Sequence, residues 1–500
     1  MAVVRTFPAP KVKNPFYHHI QWTPSLVIQT IIGAIFLLPL RALLLLSVVP
    51  FVTLVGFIAS YGYSGEPHHH LKPWQRKLVR IFFPLLARLG LLGLGYNWIH
   101  VKGKRVPQSV APISVLAPHT LWADGPTMIC YALGQVLSRA ANKHILMQRE
   151  ILMSVESIFV TPGGAGQKLL SSHFEAPGRY IPLSCYPEGT THCGDGLLAM
   201  KPGVFRVGLP VQPIFFNFGP RDPGVSLWTY DGLTTIPTLL MSMCQFHMTA
   251  TIEYLPVYNP SAEEKADCDL YAKNFQKHMA KLIGRPATDY SAEDGHLTAA
   301  GVKHGLPAHA GAIQYPLFRS AFGFNLAFCK EQVKRFAAIN SRKDGFITAS
   351  EMQSYFHWPI EEDCRRLFSY YATNAQRRDR ITFPEFLAGL GDLVVPLGTC
   401  NALSSTTPPI DQQAFTLLSG GSDTITGESV RAAIPAATRL SESDLERFVQ
   451  RLVGERSSSA SSCQDSFNAT LEHDPELRVL LQWLVHGVSS YPSAEATAAH

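Results

Sequence analysis

A histidine and an aspartate that could together activate a hydroxyl group stand at His119 and Asp124, directly after an apolar run. A carboxylate hydrogen-bonded to one imidazole nitrogen fixes the tautomer and makes the other nitrogen a better base. A hydroxyl that attacks an acyl carbon must lose its proton, so this pair fits acyl transfer to an alcohol. Because many His–Asp pairs are only structural hydrogen bonds, the pair needs further residues beside it.

A second group of polar residues follows the next strand-like run, in Tyr186–Thr191. Gly189 permits a tight turn and the close approach of a backbone. Glu188 and Thr190 supply polar side chains at the carboxyl end of that run, where ligands bind in open α/β sheets. An ordinary turn remains the alternative interpretation.

Two more segments are candidates for binding a substrate. Lys201 precedes Pro202-Gly203 and offers a cation that could meet a phosphate. The apolar segment Leu209–Ile214, which contains Pro213, could line an acyl or substrate channel. We therefore add Lys201 and Pro213 to the candidate substrate-binding residues.

These residues must be positioned by a stretch in which β-type runs alternate with helical ones, from about residue 100 to residue 295. Four apolar or β-branched runs are bounded by proline or glycine: Ile113–Ala117, Ser157–Thr161, Tyr180–Tyr186 and Val211–Asn217. This alternation predicts an α/β domain with a largely buried sheet.

The composition is that of a membrane-associated protein. The 500 residues suggest two to four domains. Charged residues make up 16% of the chain, against ~25% in soluble domains, and the mean hydropathy is +0.06. A disordered chain and a small disulfide scaffold are excluded, and a net charge of +5 is too small to favour nucleic acid. Nine cysteines without a CxxC motif fit a reducing compartment.

The stretch Leu26–Ser60 contains a single charged side chain, Arg41. As one helix it would be roughly 52 Å long, more than the ~30 Å hydrocarbon core of a bilayer. Two geometries remain open: a single span over Ala42–Ser60 after an interfacial helix, or a re-entrant hairpin that turns near Pro39–Arg41. Eight lysines and arginines against one acid in Tyr61–Val110 favour the hairpin, with both flanks in the cytosol.

The following stretch, Lys77–Trp98, mixes two arginines with many large apolar residues. It predicts a helix that lies in the headgroup plane with its cations directed towards anionic lipid. The alternative is a buried helix with solvated arginines.

Four motifs follow one another along the chain: His119-x4-Asp124, Glu188-Gly-Thr190, Lys201–Phe205 and Pro210–Pro213. In this order and spacing they resemble the glycerolipid acyltransferase superfamily, of the 1-acylglycerol-phosphate acyltransferase type. Further segments are similar to its lysophosphatidylcholine acyltransferase branch: Asn14–Phe16, Cys244–His247, Ile252–Tyr258, Glu263–Lys265 and Thr288–Asp294. The resemblance covers about residues 14–294.

The resemblance implies transfer of an acyl chain from acyl-CoA to the free hydroxyl of a lysophospholipid, with lysophosphatidylcholine as the first expected acceptor. His119 would be the general base, Asp124 its orienting partner, and Glu188, Gly189 and Thr190 part of the acceptor site. Acyl-CoA would be a co-substrate, with no catalytic cofactor. The implied location is the endoplasmic reticulum or a related endomembrane, with the catalytic domain facing the cytosol.

Two other functions stay open. One is a glycerol-3-phosphate or lysophosphatidic acid acyltransferase, and the other is a calcium-linked membrane scaffold with a decayed acyltransferase domain. One departure from the family bears on the acceptor, since Pro162 stands where the family usually has a phosphate-binding arginine. Lys168, Arg179, Lys201 or Arg206 could supply that cation instead.

The C-terminal region contains a segment, Asn340–Glu351, that fits a twelve-residue EF-hand loop, with Gly345 at the sharp turn. The ligand positions for Ca²⁺ would be Asn340, Asp344, Phe346 and Glu351. Arg342, however, puts a cation where an oxygen ligand belongs, and the partner loop, residues 374–385, lacks the turn glycine. We therefore expect weak calcium binding or none, and a surface for a protein partner.

The predicted fold is thus an α/β acyltransferase domain with an N-terminal membrane-embedded hairpin or helix and an all-α, EF-hand-like C-terminal domain. The expected divisions are a cytosolic segment (1–24), a membrane hairpin or span (25–60), an interfacial region (61–99), the acyltransferase domain (100–295), a linker (296–312), an EF-hand-like pair (313–400), a second degenerate module of the same kind (401–490) and a flexible tail (491–500).

Overall fold

The computed structural model describes residues 12–65, 70–145, 148–160, 182–218, 224–230, 232–356 and 379–394, and short pieces at 170, 174, 368, 418–419, 422–433, 449–450, 461–463 and 467. The chain divides into two units. The first consists of residues 10–296 with 314–316, and the second consists mainly of residues 297–313 and 317 onwards.

The first unit is built on a seven-stranded mixed sheet. Its strands are β1 (Tyr96–Lys102), β2 (Ile113–Ala117), β3 (Gln135–Arg139), β4 (Ile158–Val160), β5 (Leu183–Cys185), β6 (Val211–Asn217) and β7 (Met248–Tyr254). The order across the sheet is β1-β7-β6-β2-β5-β3-β4, and each neighbouring pair is parallel except β6 with β7. The predicted runs Ile113–Ala117 and Val211–Asn217 are strands with those bounds, and the mixed α/β fold is confirmed.

The helices of this unit pack on both faces of the sheet. They are α1 (Pro24–Ser60), α2 (Pro73–Gly93), α3 (Asp124–Tyr131), α4 (Gln148–Ser154), α5 (Thr235–Cys244), α6 (Ala262–Ala266) and α7 (Cys268–Ile283), with short 3₁₀ turns at Ala140–His144 and Pro202–Val207. Alternate residues of β2 serve different cores, as a buried strand requires. Val115 packs with Phe275 of α7 on one face, and Leu116 packs with Phe216 on the other.

Helix α1 is one continuous helix of 37 residues and does not turn at Pro39–Arg41, so the predicted hairpin is wrong. Within the described part of the chain it is the one helix long and apolar enough to cross a membrane. At 1.5 Å per residue it is about 55 Å long. Pro39 and Pro50 remove two helical hydrogen bonds without ending the helix.

Contacts along its length hold α1 against the rest of the unit. Arg41, which we took to mark a break, is buried and donates hydrogen bonds to the main-chain oxygens of Met243 and Gln245. A Cβ atom at Gly33 would collide with the main chain of Cys244, so glycine permits close packing there. The opposite face of α1 exposes many large apolar side chains, such as Phe36, Leu40, Leu43, Leu46 and Phe51.

Helix α2 occupies most of the stretch predicted as an interfacial helix, but it ends at Gly93 and β1 begins at Tyr96. Val79, Phe83 and Leu91 are buried against the unit, whereas Trp74, Ile81, Phe82 and Leu85 are exposed. The helix therefore combines both expected environments, with one face packed and one apolar face open.

The second unit contains a pair of helix–loop elements. Two helices extend into it from the first unit, α8 (Ala292–Lys303) and α9 (Tyr315–Phe322). The other helices among its described residues are α10 (Leu326–Ile339), α11 (Ala349–Phe356), α12 (Phe383–Val394) and α13 (Gly427–Ala433), with a 3₁₀ turn at Ala308–Ala310. Ile347 and Ile381 form an antiparallel bridge between the two loops. Strands β8 (Thr424–Thr426) and β9 (Ser461–Cys463) pair antiparallel, so this region is not purely helical as expected.

The segment 296–312, expected as a linker, is largely ordered structure. Helix α8 runs over Ala292–Lys303, and α9 covers Tyr315–Phe322. Leu306, Ala308 and Ala310 are buried. Alanine is the best helix former, which explains why a stretch rich in small residues is helical here.

Candidate active site

His119 and Asp124 meet at the carboxyl end of the central strand β2. The strand ends at Ala117, and α3 begins at Asp124, so the loop between them carries the histidine. His119 Nδ1 lies 2.7 Å from Asp124 Oδ2, which also accepts the main-chain N–H groups of Thr120 at 2.7 Å and Leu121 at 3.0 Å. Because Asp124 Oδ2 acts as the acceptor for both amides, the Nδ1–H group of His119 donates to it as well, and Nε2 is left free of this contact.

The imidazole of His119 is supported on one side by Tyr186. The two rings are stacked with centroids 4.3 Å apart and 23° between their planes. Burial, followed by the charges of Asp124 and Glu188, raises the pKa of Tyr186 well above its ordinary value, so the phenol stays neutral. The side chain of His119 remains 29% exposed, which leaves it accessible to a substrate.

Glu188 is completely buried and is engaged by the protein itself. Its Oε2 atom accepts the main-chain N–H of His119 at 2.8 Å. Its Oε1 atom accepts the main-chain N–H of Leu198 at 2.9 Å and lies 3.0 Å from Nε2 of His192. The carboxylate of Glu188 thus holds the main chain of the loop that contains His119.

His192 is a residue of this cluster that sequence reasoning missed. It is buried, and its Nδ1 accepts the main-chain N–H of Gly194 at 3.2 Å, so its Nε2–H donates to Glu188. The main-chain N–H of His192 donates to the carbonyl oxygen of His119 at 2.9 Å. Both main-chain polar groups of His119 are therefore held. The spacing of Glu188 and His192, four residues apart, was the available signal.

Gly189, Thr190 and Lys201 lie on the same side of the sheet as the histidine loop. Gly189 has a φ of 72°, and a Cβ atom there would lie 3.0 Å from Cε of Lys201. The hydroxyl groups of Thr190 and Tyr230 are 3.2 Å apart. Lys201 is half exposed, with its Nζ 3.5 Å from Glu293 Oε1. Burial alone would raise the pKa of Glu293, but Lys201 and local hydrogen bonds lower it.

Other candidates are not part of this cluster. Pro213 is buried inside β6 and pairs with Val115, whereas Ala117, at the end of β2 nearest to His119, pairs with Phe215. Pro213 therefore lies within the sheet and not at the strand ends that carry the His119 loop. Arg206 is exposed in the 3₁₀ turn after Lys201. Pro162, Lys168 and Arg179 lie outside the described residues.

A stacked pair of tryptophans lies beside the loop that carries His119. Trp122, between His119 and Asp124, stacks on Trp228 with centroids 4.9 Å apart and 28° between the planes. Both are partly exposed, at 40% and 37%. The main-chain N–H of Trp228 donates to the carbonyl oxygen of Thr120 at 3.1 Å, which fixes the pair to the loop.

The EF-hand-like loop has a closed set of internal contacts. Gly345 is at the turn with a φ of 86°. The side-chain amide of Asn340 donates to Asp344 Oδ1 at 3.0 Å and to the carbonyl oxygen of Phe346 at 2.7 Å. These are three of the four positions expected to ligate Ca²⁺, and here they bind one another.

Arg342 completes the closure of this loop. Its Nη2 atom lies 3.3 Å from Glu351 Oε2 and 3.4 Å from Asp344 Oδ2. Nowhere in the described part of the chain do three or more His, Cys, Asp or Glu side chains form a group that could hold a metal ion. The residues present do not fit calcium, because a guanidinium occupies the position of the cation.

Comparison with known proteins finds similarity to acyltransferases. Residues 99–217 match the family model described as Acyltransferase. The chain is 27% identical over 454 residues to lysophosphatidylcholine acyltransferase 2 of Homo sapiens, covering 89% of this chain and 81% of that protein. It is 26% identical to lysophosphatidylcholine acyltransferase 2B of Rattus norvegicus, covering 90% and 86%.

One further relative and one solved structure are also similar to the chain. Lysophosphatidylcholine acyltransferase 1 of Danio rerio is 28% identical, covering 72% of this chain and 70% of that protein. The crystal structure of the 1-acyl-sn-glycerophosphate acyltransferase of Thermotoga maritima is 15% identical with a TM-score of 0.34, covering 49% and 98%. The matched domain contains His119, Asp124 and Glu188, and the chain is therefore an acyltransferase that is similar over most of its length to the lysophosphatidylcholine acyltransferases.

Proposed function

We propose that this enzyme transfers a fatty acyl group from acyl-CoA to the free hydroxyl of a lysophospholipid, as in phospholipid biosynthesis and remodelling. The observation that carries the proposal is the buried Asp124 carboxylate 2.7 Å from Nδ1 of a partly exposed His119, inside a domain of the acyltransferase family. The names of the relatives supply the acceptor class.

The reaction needs a single base. The hydroxyl oxygen of the lysophospholipid attacks the thioester carbon while its proton passes to Nε2 of His119. Asp124 stabilises the imidazolium that forms, because the carboxylate already accepts a hydrogen bond from Nδ1. The carbon–sulfur bond then breaks, and the proton on His119 is available to the departing CoA thiolate.

The tryptophan pair supports a choline headgroup as the acceptor. A quaternary ammonium binds favourably against the face of an indole ring. The stacked pair leaves part of Trp122 and of Trp228 exposed beside the catalytic loop. Lys201 is half exposed and offers a cation for the phosphate of the same headgroup.

The proposed setting is the cytosolic face of the endoplasmic reticulum or a related endomembrane. The apolar outer face of α1, with Phe36, Leu40 and Leu46 more than half exposed, needs a lipid environment. A lipid substrate would reach the site from the same surface.

The test is acyl transfer from labelled acyl-CoA to lysophosphatidylcholine, lysophosphatidylethanolamine, lysophosphatidic acid and glycerol 3-phosphate. We expect turnover on the choline lysolipid, and His119→Ala should reduce it by at least ~100-fold. His100→Ala, an exposed histidine of β1, is the matched control and should be neutral. A well-expressed wild type that acylates none of the four acceptors would support the scaffold alternative.

For the C-terminal region we propose an EF-hand-like pair that folds without calcium and serves as a surface for a protein partner. Arg342 takes the place of the metal, as its contacts with Asp344 and Glu351 indicate. Binding of Ca²⁺ to the wild type, measured by calorimetry on the full chain, should be undetectable. A stoichiometric calcium signal that Glu351→Gln removes would contradict the proposal.

A further inference from the structure

A cavity that three arginines help to line lies at the end of the parallel strands opposite to the end that carries His119. Its volume is about 270 Å³, and its lining includes Gly134 and Pro182, which immediately precede β3 and β5. The main-chain N–H of Leu183 donates to the carbonyl oxygen of Pro112, which marks this end as the amino end of the parallel strands. His119 follows the carboxyl end of β2, five residues or roughly 13 Å away.

Three arginines line this cavity: Arg76 and Arg80 from α2, and Arg105 from the loop between β1 and β2. Arg76 is neutralised by Glu156, whose carboxylate accepts its Nε at 3.0 Å and its Nη2 at 2.9 Å. Glu156 is itself buried and also accepts the main-chain N–H of Leu71 at 2.9 Å. The carboxylate oxygens of Glu156 are therefore engaged by Arg76 and Leu71, and their negative charge balances that of Arg76.

The other two guanidinium groups keep their charge uncompensated. Arg105 donates to the carbonyl oxygen of Leu133 at 2.8 Å and to the Ser114 hydroxyl at 3.3 Å, both neutral acceptors. Arg80 is exposed and has no hydrogen-bond or ion-pair partner among the residues that the structure describes. Two unpaired positive charges thus face one concave site.

We propose that this cavity binds a phosphate-bearing anion, separately from the catalytic site. Guanidinium groups bind phosphate through paired N–H donors, and two or three of them around one site are typical of phosphate recognition. A volume of about 270 Å³ is below the ~300–1,000 Å³ of pockets for drug-sized ligands, so it suits a headgroup rather than a whole lipid.

The phosphate could belong to a lipid headgroup or to a soluble phosphate ester. The side chains of Trp74, Ile81 and Phe82, which flank these arginines on α2, are exposed and apolar. Such a helix lies in a membrane interface, which would bring Arg80 to the level of the lipid phosphates.

The experiment measures binding on the purified full chain, and steady-state kinetics with acyl-CoA are a separate second readout. Thermal unfolding in an uncharged detergent is followed with inorganic phosphate and with glycerol 3-phosphate. Sedimentation is followed with phosphatidylcholine vesicles that contain or lack phosphatidic acid. The variants are Arg80→Gln and its matched control Lys77→Gln, which removes the same charge from the same helix away from the cavity.

We expect Arg80→Gln to weaken binding of the phosphate probe by at least about tenfold, the loss of one charged hydrogen bond. Lys77→Gln should bind as the wild type does. Stabilisation by soluble phosphate that Arg80→Gln removes assigns a soluble ester, whereas an effect confined to phosphatidic acid vesicles assigns a lipid headgroup.

Two results would overturn the proposal. One is that Arg80→Gln and Lys77→Gln change binding equally, which reduces the effect to general surface charge. The other is that Arg80→Gln raises the KM for acyl-CoA, which makes the cavity part of the substrate site. Arg80 has no described structural contact, so the variant should melt at the wild-type temperature and either result is interpretable.

Discussion

Two buried carboxylates, one in each unit, have nearly the same surroundings and different consequences. Asp124 and Glu351 both lie in the first turn of a helix. Asp124 Oδ2 accepts the main-chain N–H groups of Thr120 and Leu121. Glu351 accepts those of Arg342 and Thr348. In both cases the loop before the helix folds back onto the carboxylate.

Beyond these main-chain contacts, each carboxylate binds a basic side chain of its own loop, and that side chain decides what the carboxylate does. Asp124 holds the ring of His119, which stays partly exposed, and we propose that this pair moves a proton. Glu351 holds Arg342, which does not lose its charge and whose Nη2 atom lies 3.3 Å from Glu351 Oε2. A carboxylate in the first turn of a helix thus orients a histidine in one unit and binds an arginine of its own loop in the other.

Asp124→Asn should give the largest effect. All three contacts of Asp124 go to Oδ2, so an amide oxygen at that position can still accept the N–H groups of Thr120 and Leu121, but it lacks the negative charge that stabilises an imidazolium at His119. We expect kcat to fall by about 10²–10⁴-fold, as for a lost general base. Asp269→Asn, an exposed aspartate of α7, should retain full activity. Equal activity of the two variants would remove the catalytic half of the comparison.

Glu188→Gln tests whether a carboxylate that touches only protein groups still matters to the reaction. Three donors converge on it, from His119, Leu198 and His192, and an amide must turn its NH₂ towards one of them. The expected cost is about 1–3 kcal/mol of unfolding free energy.

The displaced His119 should also lower kcat more than it changes KM. Denaturant unfolding and steady-state kinetics check both effects. Glu263→Gln, which is exposed, is the control. If only KM rose, Glu188 would be binding the acceptor directly, as its sequence motif first suggested.

Arg342→Asp sharpens the other side of the comparison. It removes the internal cation and adds a third carboxylate next to Asp344 and Glu351. Without calcium the unfolding free energy should fall by about 1 kcal/mol, and added Ca²⁺ should restore it because the loop then has the ligand charge it lacked. Thermal unfolding with calcium and with a chelator measures this difference. Lys330→Asp, an exposed site on α10, should show no calcium dependence.

The smallest effect is expected from pH. Burial alone would raise the pKa of Glu351, but the N–H groups of Arg342 and Thr348 and nearby hydroxyls lower it from 4.5 to about 2. The unfolded chain therefore takes up a proton below about 4.5, where the folded chain does not. Stability from Glu351 is complete above that pH and is lost as the pH falls towards 2.

This pH dependence can be checked by comparing the unfolding free energy of wild type and Glu351→Gln from neutral pH downwards. The difference in unfolding free energy between wild type and variant should become smaller only below a pH of about 4.5. If this difference became smaller near neutral pH instead, the pH dependence would come from a histidine and not from Glu351.

The features that could be predicted from the sequence depend on residues that are close to one another along the chain. The strands Ile113–Ala117 and Val211–Asn217 have the expected bounds, because apolar and β-branched runs between turn residues form buried strands. The pairing of His119 with Asp124 was also predictable, since four intervening residues allow the loop to close on itself.

What could not be predicted depends on contacts between distant residues. Arg41 donates to carbonyl groups that are more than 200 residues away along the chain. No pattern in the residues around Arg41 predicts these contacts. Pro39 suggested a turn, whereas packing of α1 against the domain keeps the helix continuous. Glu188 was expected at the acceptor, but the donors that engage it come from His119, His192 and Leu198, which only the fold brings together.

The seating of α1 has a practical consequence for producing the enzyme in soluble form. Removing residues up to Ser60 would leave the carbonyl oxygens of Met243 and Gln245 without Arg41 and would uncover the groove that receives Gly33. Orphaned buried acceptors and newly bared apolar surface favour aggregation. The shortened chain should therefore precipitate or misfold. Charged substitutions on the outer face of the helix, at Phe36, Leu40 or Leu46, are the better route to a detergent-free enzyme.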